Sequence, residues 1–298
     1  MTPDFMSGAQ EYRPLVLTLA LALALAEFGW RRWGAGRRYD LRSAAASLGV
    51  MVLGIVPKQF GALVSGAVLF ALAQLAPGQL PIDDWRTWAA CFVLVEFAYY
   101  WFHRSSHTVR WFWANHAVHH SSNEFVLPSA YRLGWFGPLM GSWLFFAPLV
   151  LIGFPPAMVA GLLGANLLYQ YLLHTELVGR LGPLEWVLNT PSHHRVHHSR
   201  EQACLDCNFG GVVIVFDRLF GTFRAEPEGR ALDYGLVHRL ESNNPFWIGL
   251  HEVVALWRDA LAAPGWRAKG AVLFSAPAHS EKLARSFRVS SHQDREGI

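Results

Sequence analysis

Charge is what this 298-residue sequence most lacks: charged residues make up 16% of it, against about 25% in an ordinary soluble domain. The shortage is local. Four apolar stretches, 14–30, 43–75, 87–102 and 136–173, hold 104 residues and three charges, Glu27, Lys58 and Glu96. The other 194 residues carry 44 charges, about 23%, which is normal. That pattern excludes a soluble globule and a disordered chain, and it fits an integral membrane protein with a polar remainder. Cysteine is scarce as well, and three thiols exclude a disulfide framework. Cys204-Leu205-Asp206-Cys207 has no second pair to complete a zinc site and reads as ordinary thiols. A net charge of +3, with no basic run interleaved with aromatics, gives nucleic acid no footing. No G-x-G-x-x-G follows a strand and there is no P-loop.

The apolar stretches predict an all-α bundle. Residues 14–30 follow Asp4, Glu11 and a single base, Arg13, where a signal peptide would want a positive segment. They read as a retained membrane helix whose flank, Arg31, Arg32, Arg37, Arg38 and Arg42, faces the cytoplasm. Stretch 43–75 exceeds the roughly 20 residues of one crossing, and Pro57-Lys58 marks its expected break. Stretch 87–102 then returns to the cytoplasm. Stretch 136–173 folds out and back around Pro155-Pro156. The expectation is about four crossings in a single domain. Residues 14–173 give the membrane helices and first histidines, 174–260 a cytoplasmic helical cap, and 278–298 a polar, mobile tail. By parity every histidine group below lies on one side, just beneath the bilayer.

What is abundant is histidine, with fourteen residues. Ten fall in short groups beside membrane stretches: His103 and His107; His116, His119 and His120; His174; and His193, His194, His197 and His198. Positions three and four apart share a helix face, so each group is expected to present one cluster. Thr190 as cap and Pro191 at the first helical position start the helix that carries the last group. Neutral imidazole suits Fe, Zn, Cu and Ni. Nine or ten are too many for one ion and enough for two, held between helices that face one another. The lone His238, His251, His279 and His292 are assigned no metal. A zinc hydrolase would want a general base in a setting such as H-E-x-x-H, which is absent. A transporter would want polar residues within the spans.

In order and spacing, these boxes resemble the fatty acid hydroxylase and sterol desaturase superfamily, whose pattern is H-x3-H, H-x2-H-H and H-x2-H-H. The words around them are similar to its bacterial, alkylglycerol-monooxygenase-like branch: Tyr99-Tyr100-Trp101-Phe102-His103-Arg104, His119-His120-Ser121-Ser122, His174-Thr175-Glu176 and Asp217-Arg218-Leu219-Phe220-Gly221-Thr222-Phe223. The resemblance covers residues 40–260. It departs at Asn123–Val126, Cys204 and Phe209, which flank boxes.

The resemblance implies a di-iron, O2-dependent monooxygenase acting on an unactivated C–H bond of a membrane lipid, with desaturation or C-methyl oxidation of a sterol-like substrate as a variant. It implies His103, His107, His116, His119, His120, His174, His194, His197 and His198 as ligands, with His193 as a possible tenth. Glu96, seven residues before His103, is a candidate to accept a hydrogen bond from a ligand imidazole, and Asp206 and Asn208 are lesser candidates. Two electrons would come from a separate reductase, a ferredoxin-like donor or a pterin. The setting implied is a bacterial inner membrane with the site on the cytoplasmic side. A zinc hydrolase and a non-catalytic metal-binding membrane protein are the remaining alternatives.

Overall fold

The computed structural model describes residues 3–36 and 38–296, with side chains described for 14–36 and 38–287. Among these residues there is no strand, only isolated bridges at Leu188–Val213 and Ser199–Tyr234. The helices are α1 (Pro3–Gly29), α2 (Leu41–Leu53), α3 (Ile55–Ala73), α4 (Trp85–Thr108), α5 (Arg110–His120), α6 (Ala147–Leu151), α7 (Pro156–Leu173), α8 (Pro191–His197), α9 (Val215–Leu219), α10 (Pro245–Ala262), α11 (Gly265–Phe274) and α12 (Pro277–Glu296).

Local chemistry sets their limits. Asp40 caps α2 by accepting from the backbone N–H groups of Arg42 and Ser43 at 2.9 and 3.2 Å. Asp84 caps α4 through Arg86 N–H at 2.9 Å. Pro156 occupies the first position of α7, where its missing N–H costs nothing. The break in stretch 43–75 falls at Gly54, not at Pro57-Lys58. Pro57 sits in the first turn of α3, where an N–H has no partner in any case. At Gly54 a Cβ would stand 2.7 Å from the Trp135 ring, so the absent side chain lets that ring pack against the chain at the break.

Among the described residues, three segments are long and apolar enough to cross a membrane: Pro14–Gly34, Ile55–Ala73 and Pro156–Leu173. The expectation was about four. The fourth stretch is α4, which is long enough at 24 residues but carries Arg86, Glu96, Arg104 and two histidines. The outgoing arm 136–151 is also not one helix; it proceeds through a 3-10 turn at Ser142–Phe145 and the five-residue α6. α3 exposes Val56, Phe60, Leu63 and Phe70, a surface suited to lipid and not to water.

The bundle has two distinct ends. At one, Leu80 N–H donates to the Gly153 carbonyl at 2.8 Å, so the α3–α4 loop meets the hairpin tip. From there α4 and α7 run side by side, packed through Val95, Tyr99, Phe146, Val150 and Met158. At the opposite end the last turn of α1 joins them: Glu27 accepts from Thr175 Oγ1 at 2.5 Å and from Leu127 N–H at 2.7 Å. Arg31 pairs with Glu176 at 2.8 Å beside it. The C-terminal segment begins as a packed helix. Ser280 and Ala284 of α12 are buried, and Ser280 Oγ accepts from Arg110 at 2.9 Å. So the first turns of the expected mobile tail are tied to α5, while the side chains from 288 onward lie outside the described residues.

Candidate metal centre

Nine imidazoles converge at the α1, α4 and α7 ends, in two groups. One is His103, His107, His116, His120 and His197; the other is His119, His174, His194 and His198. Within each group, one ligand nitrogen per residue lies within 4.8 Å of all the others. The boxes do not map one to a group, as shared faces suggested. Each H-x2-H-H box splits. His116 and His120, four apart, enter the first group while His119 enters the second; His194 and His198 enter the second while His197 enters the first. A residue next in sequence is rotated about 100° around the helix, so α5 and α8, facing each other, each reach across to the other's group. His120 and His198 stack at 4.3 Å where the groups meet.

The ring nitrogens show what the groups can hold. His119 Nδ1 lies 3.3 Å from the Arg132 carbonyl and His174 Nδ1 lies 2.7 Å from the Gln170 carbonyl. A carbonyl can only accept, so both Nδ1 atoms carry the proton, and in neutral rings both Nε2 atoms are bare lone pairs. Those two Nε2 atoms are 3.2 Å apart. In the other group His103 Nδ1 is set by the Phe209 carbonyl at 2.8 Å, and His197 Nδ1 by that of Cys207 at 2.9 Å. His103 Nε2 then faces His116 Nε2 at 3.0 Å. Two bare lone pairs as close as those of His119 and His174 repel one another unless a cation lies between them; His116, whose proton no carbonyl fixes, can donate to His103 in the absence of one. Two nitrogens bound at a right angle to one ion at about 2.1 Å stand about 3 Å apart, which fits these spacings. His107, His197 and His198 each also present a buried Nε2 with no hydrogen-bond partner. Burial lowers the pKa of His174 and of His197 to about 4. His116, His119, His120, His194 and His198 are pushed well below the ordinary 6.5 by burial and by their neighbours' charge. The cage is therefore neutral nitrogen, a donor set suited to a divalent transition metal.

The remaining candidates fall elsewhere. His193 stands outside both groups, its ring against Phe223 and its Nε2 3.8 Å from Glu185. Glu96 accepts from no imidazole. It takes Asn166 Nδ2 at 2.5 Å and the N–H groups of Val212 and Val213 at 2.8 and 3.0 Å, which pins the 209–213 segment to α4 and α7. Asp206 is the carboxylate that comes near a cage imidazole, 3.4 Å from His107 Nδ1. Asn208 donates to the carbonyls of His193 and Arg224. Both hold positive φ, near 55°, a conformation Asp and Asn tolerate better than most residues. His238, His251 and His279 lie outside the groups, and the His292 side chain lies outside the described residues. Cys204 and Cys207 are free, buried thiols.

The sequence reading missed the orienting atoms, because they are backbone carbonyls, and it missed the residues that hold those carbonyls. Asp217 is buried and accepts from the N–H groups of Phe209 and Gly210 at 2.8 and 2.7 Å. Asn166 and Gln170, four apart on α7, hydrogen-bond each other and reach Glu96 and Tyr99. Their signal was available, as a pair of amides in an otherwise apolar stretch.

Comparison with known proteins points the same way. Residues 88–222 match the fatty acid hydroxylase family. Alkylglycerol monooxygenase of Xenopus tropicalis is 37% identical over 276 residues, 92% of this chain and 59% of that protein. The human alkylglycerol monooxygenase is 45% identical over 198 residues, 66% and 44% of the two chains. The ornithine lipid hydroxylase of Rhizobium tropici is 30% identical over 148 residues, 50% and 45%. The chain thus spans less than two thirds of the length of each of these relatives. No solved structure matches it.

Proposed function

The chain carries a fatty acid hydroxylase domain over residues 88–222, and from that premise we propose that it is a membrane-bound, di-iron, O2-dependent monooxygenase that hydroxylates an unactivated C–H bond of a lipid. The observation that carries this is the pair of bare Nε2 atoms on His119 and His174, 3.2 Å apart, each with its proton committed to a carbonyl. The proposed ligands are His103, His107, His116, His120 and His197 for one iron and His119, His174, His194 and His198 for the other. Bound iron would supply O2 activation and hydrogen abstraction. The chain's own residues hold nine imidazoles neutral, fix the tautomers of His119, His174, His197 and His103 through the carbonyls of residues 132, 170, 207 and 209, and keep water out of the cage.

The relatives bearing monooxygenase and lipid hydroxylase names support an amphiphilic lipid substrate. A cage at the end of apolar helices suits one whose head stays at the interface while its chain reaches inward. The arginine flank at 31–42 supports a cytoplasmic face for the site. Two electrons come from a separate reductase, a ferredoxin-like protein or a pterin, since these residues hold no nucleotide-binding motif. The test is lipid profiling of cells with and without the protein, followed by iron-loaded turnover in vesicles. The expected result is an O2-dependent product heavier by one oxygen atom. A product lighter by two hydrogens instead would mark desaturation. Product formation that persists in His119→Ala would remove the ligand assignment.

A further inference from the structure

The region after residue 174 was expected to sit wholly in the aqueous phase, yet α10 and α11 expose a large apolar face. On α10, Trp247, Val254, Trp257 and Leu261 are exposed along one stripe at helical spacing, with Phe246 at its edge. The opposite stripe, Ile248, Gly249, Leu256, Asp259 and Ala260, is buried. α11 adds Trp266, the most exposed of these at 79%, and Phe274. Exposed apolar surface of this extent on a soluble cap is unusual and marks a docking face.

Two further features identify what covers it. First, the charges are sorted. Residues 245–274 contain two acids, Glu252 and Asp259, and both turn inward to Arg110 at 3.3 and 2.8 Å. The three bases, Arg258, Arg267 and Lys269, are all exposed; Arg258 also reaches Asp259, and Arg267 lies over the Trp266 ring. The outward charge of this face is therefore positive, interleaved with tryptophan, the composition of an interfacial helix on anionic lipid. Second, the face is level with a membrane span. Trp257 and Phe274 pack on Trp111, whose indole donates to the Met140 carbonyl at 2.8 Å. The neighbouring Pro138 lies against Gly61 within α3.

We infer that α10 and α11 lie in the plane of the bilayer interface as a non-spanning lipid-binding element, with Trp247, Trp257, Leu261 and Trp266 in the lipid and Arg258, Arg267 and Lys269 at anionic headgroups. They fasten the histidine cage against the leaflet through α5, on which both pack. This is independent of the reaction proposed above.

Nitroxide scanning tests it, since Cys91, Cys204 and Cys207 are buried and a new surface cysteine labels selectively. Leu261→Cys, Trp266→Cys and, as an aqueous reference, Glu228→Cys are labelled in the full-length protein. Each is reconstituted into phosphatidylcholine vesicles with and without phosphatidylglycerol. The expected result is that labels at 261 and 266 are relaxed more by oxygen than by a nickel chelate, with the reverse at 228, and that phosphatidylglycerol deepens the first two. Arg267→Glu with Lys269→Glu should cancel that deepening. A nickel-dominated profile at 261 and 266 overturns the inference. Labels shielded from both reagents and broadened by spin–spin coupling would mean that a second copy of the chain covers the face, which overturns it equally.

Discussion

A buried imidazole offers a metal one nitrogen only if something fixes the proton on the other. Here carbonyls do this for His103, His119, His174 and His197, and the segments that present those carbonyls are themselves anchored. The expected consequence for His119→Ala is loss of the metal held by the four-histidine group with the other retained, read as metal per chain. His193→Ala, whose ring lies outside both groups, should leave metal content unchanged; equal loss in both variants would sink the partition. Glu96 acts one step removed. Glu96→Ala leaves the part-buried N–H groups of Val212 and Val213 without their acceptor, at a cost of at most about 1–3 kcal/mol for each orphaned group. A lower thermal midpoint in detergent should accompany weaker metal retention, because the same segment carries the Phe209 carbonyl behind His103. Retention of metal at wild-type affinity with only the midpoint lowered would limit Glu96 to a structural part.

The helices explain what could and could not be read from the chain. The four histidine groups, the start of α8 at Thr190-Pro191 and the turn at Pro155-Pro156 were legible, because spacing and proline chemistry are local; the Thr190 hydroxyl, however, donates to Glu185 and does not cap the helix. The division of each H-x2-H-H box between two groups was not, since it depends on α5 and α8 facing each other. Nor was the break at Gly54, which lies against the Trp135 ring 81 residues further along the chain. Arg110 makes a similar long-range tie. At the head of α5, it meets Glu252 and Asp259 of α10 and Ser280 of α12. Arg110→Met removes the partner of the largely buried Glu252 and leaves buried Asp259 with Arg258 in place of two arginines, and breaking a buried pair typically costs about 3–5 kcal/mol. The expected outcome is a lowered thermal midpoint, with metal lost alongside because α5 brings three of the nine imidazoles. Adding Glu252→Gln and Asp259→Asn should recover much of the midpoint. If the triple variant is no more stable than Arg110→Met, stranded charge is not the cause.

For the molecule as a whole, nine neutral imidazoles buried at one end of a membrane bundle make metal and acid opposing ligands. In the metal-free protein His174 and His197 titrate near 4 when folded and near 6.5 when unfolded. The unfolded chain therefore binds more protons between those values. Their contribution to stability is complete above about 6.5 and is lost as pH falls toward 4. Metal binds only the deprotonated rings, so loading should extend the stable range to lower pH, with release once protons compete for the nitrogens. Thermal midpoints of chelator-stripped and iron-loaded protein, measured from neutral pH to about 4, should coincide least near neutrality and approach one another in acid. Superimposable curves throughout would mean that these histidines hold no metal. A gap that fails to narrow toward pH 4 would mean that protons do not compete for the metal's ligands, and would overturn the imidazole assignment, because the two histidine groups can only lose affinity as they gain protons.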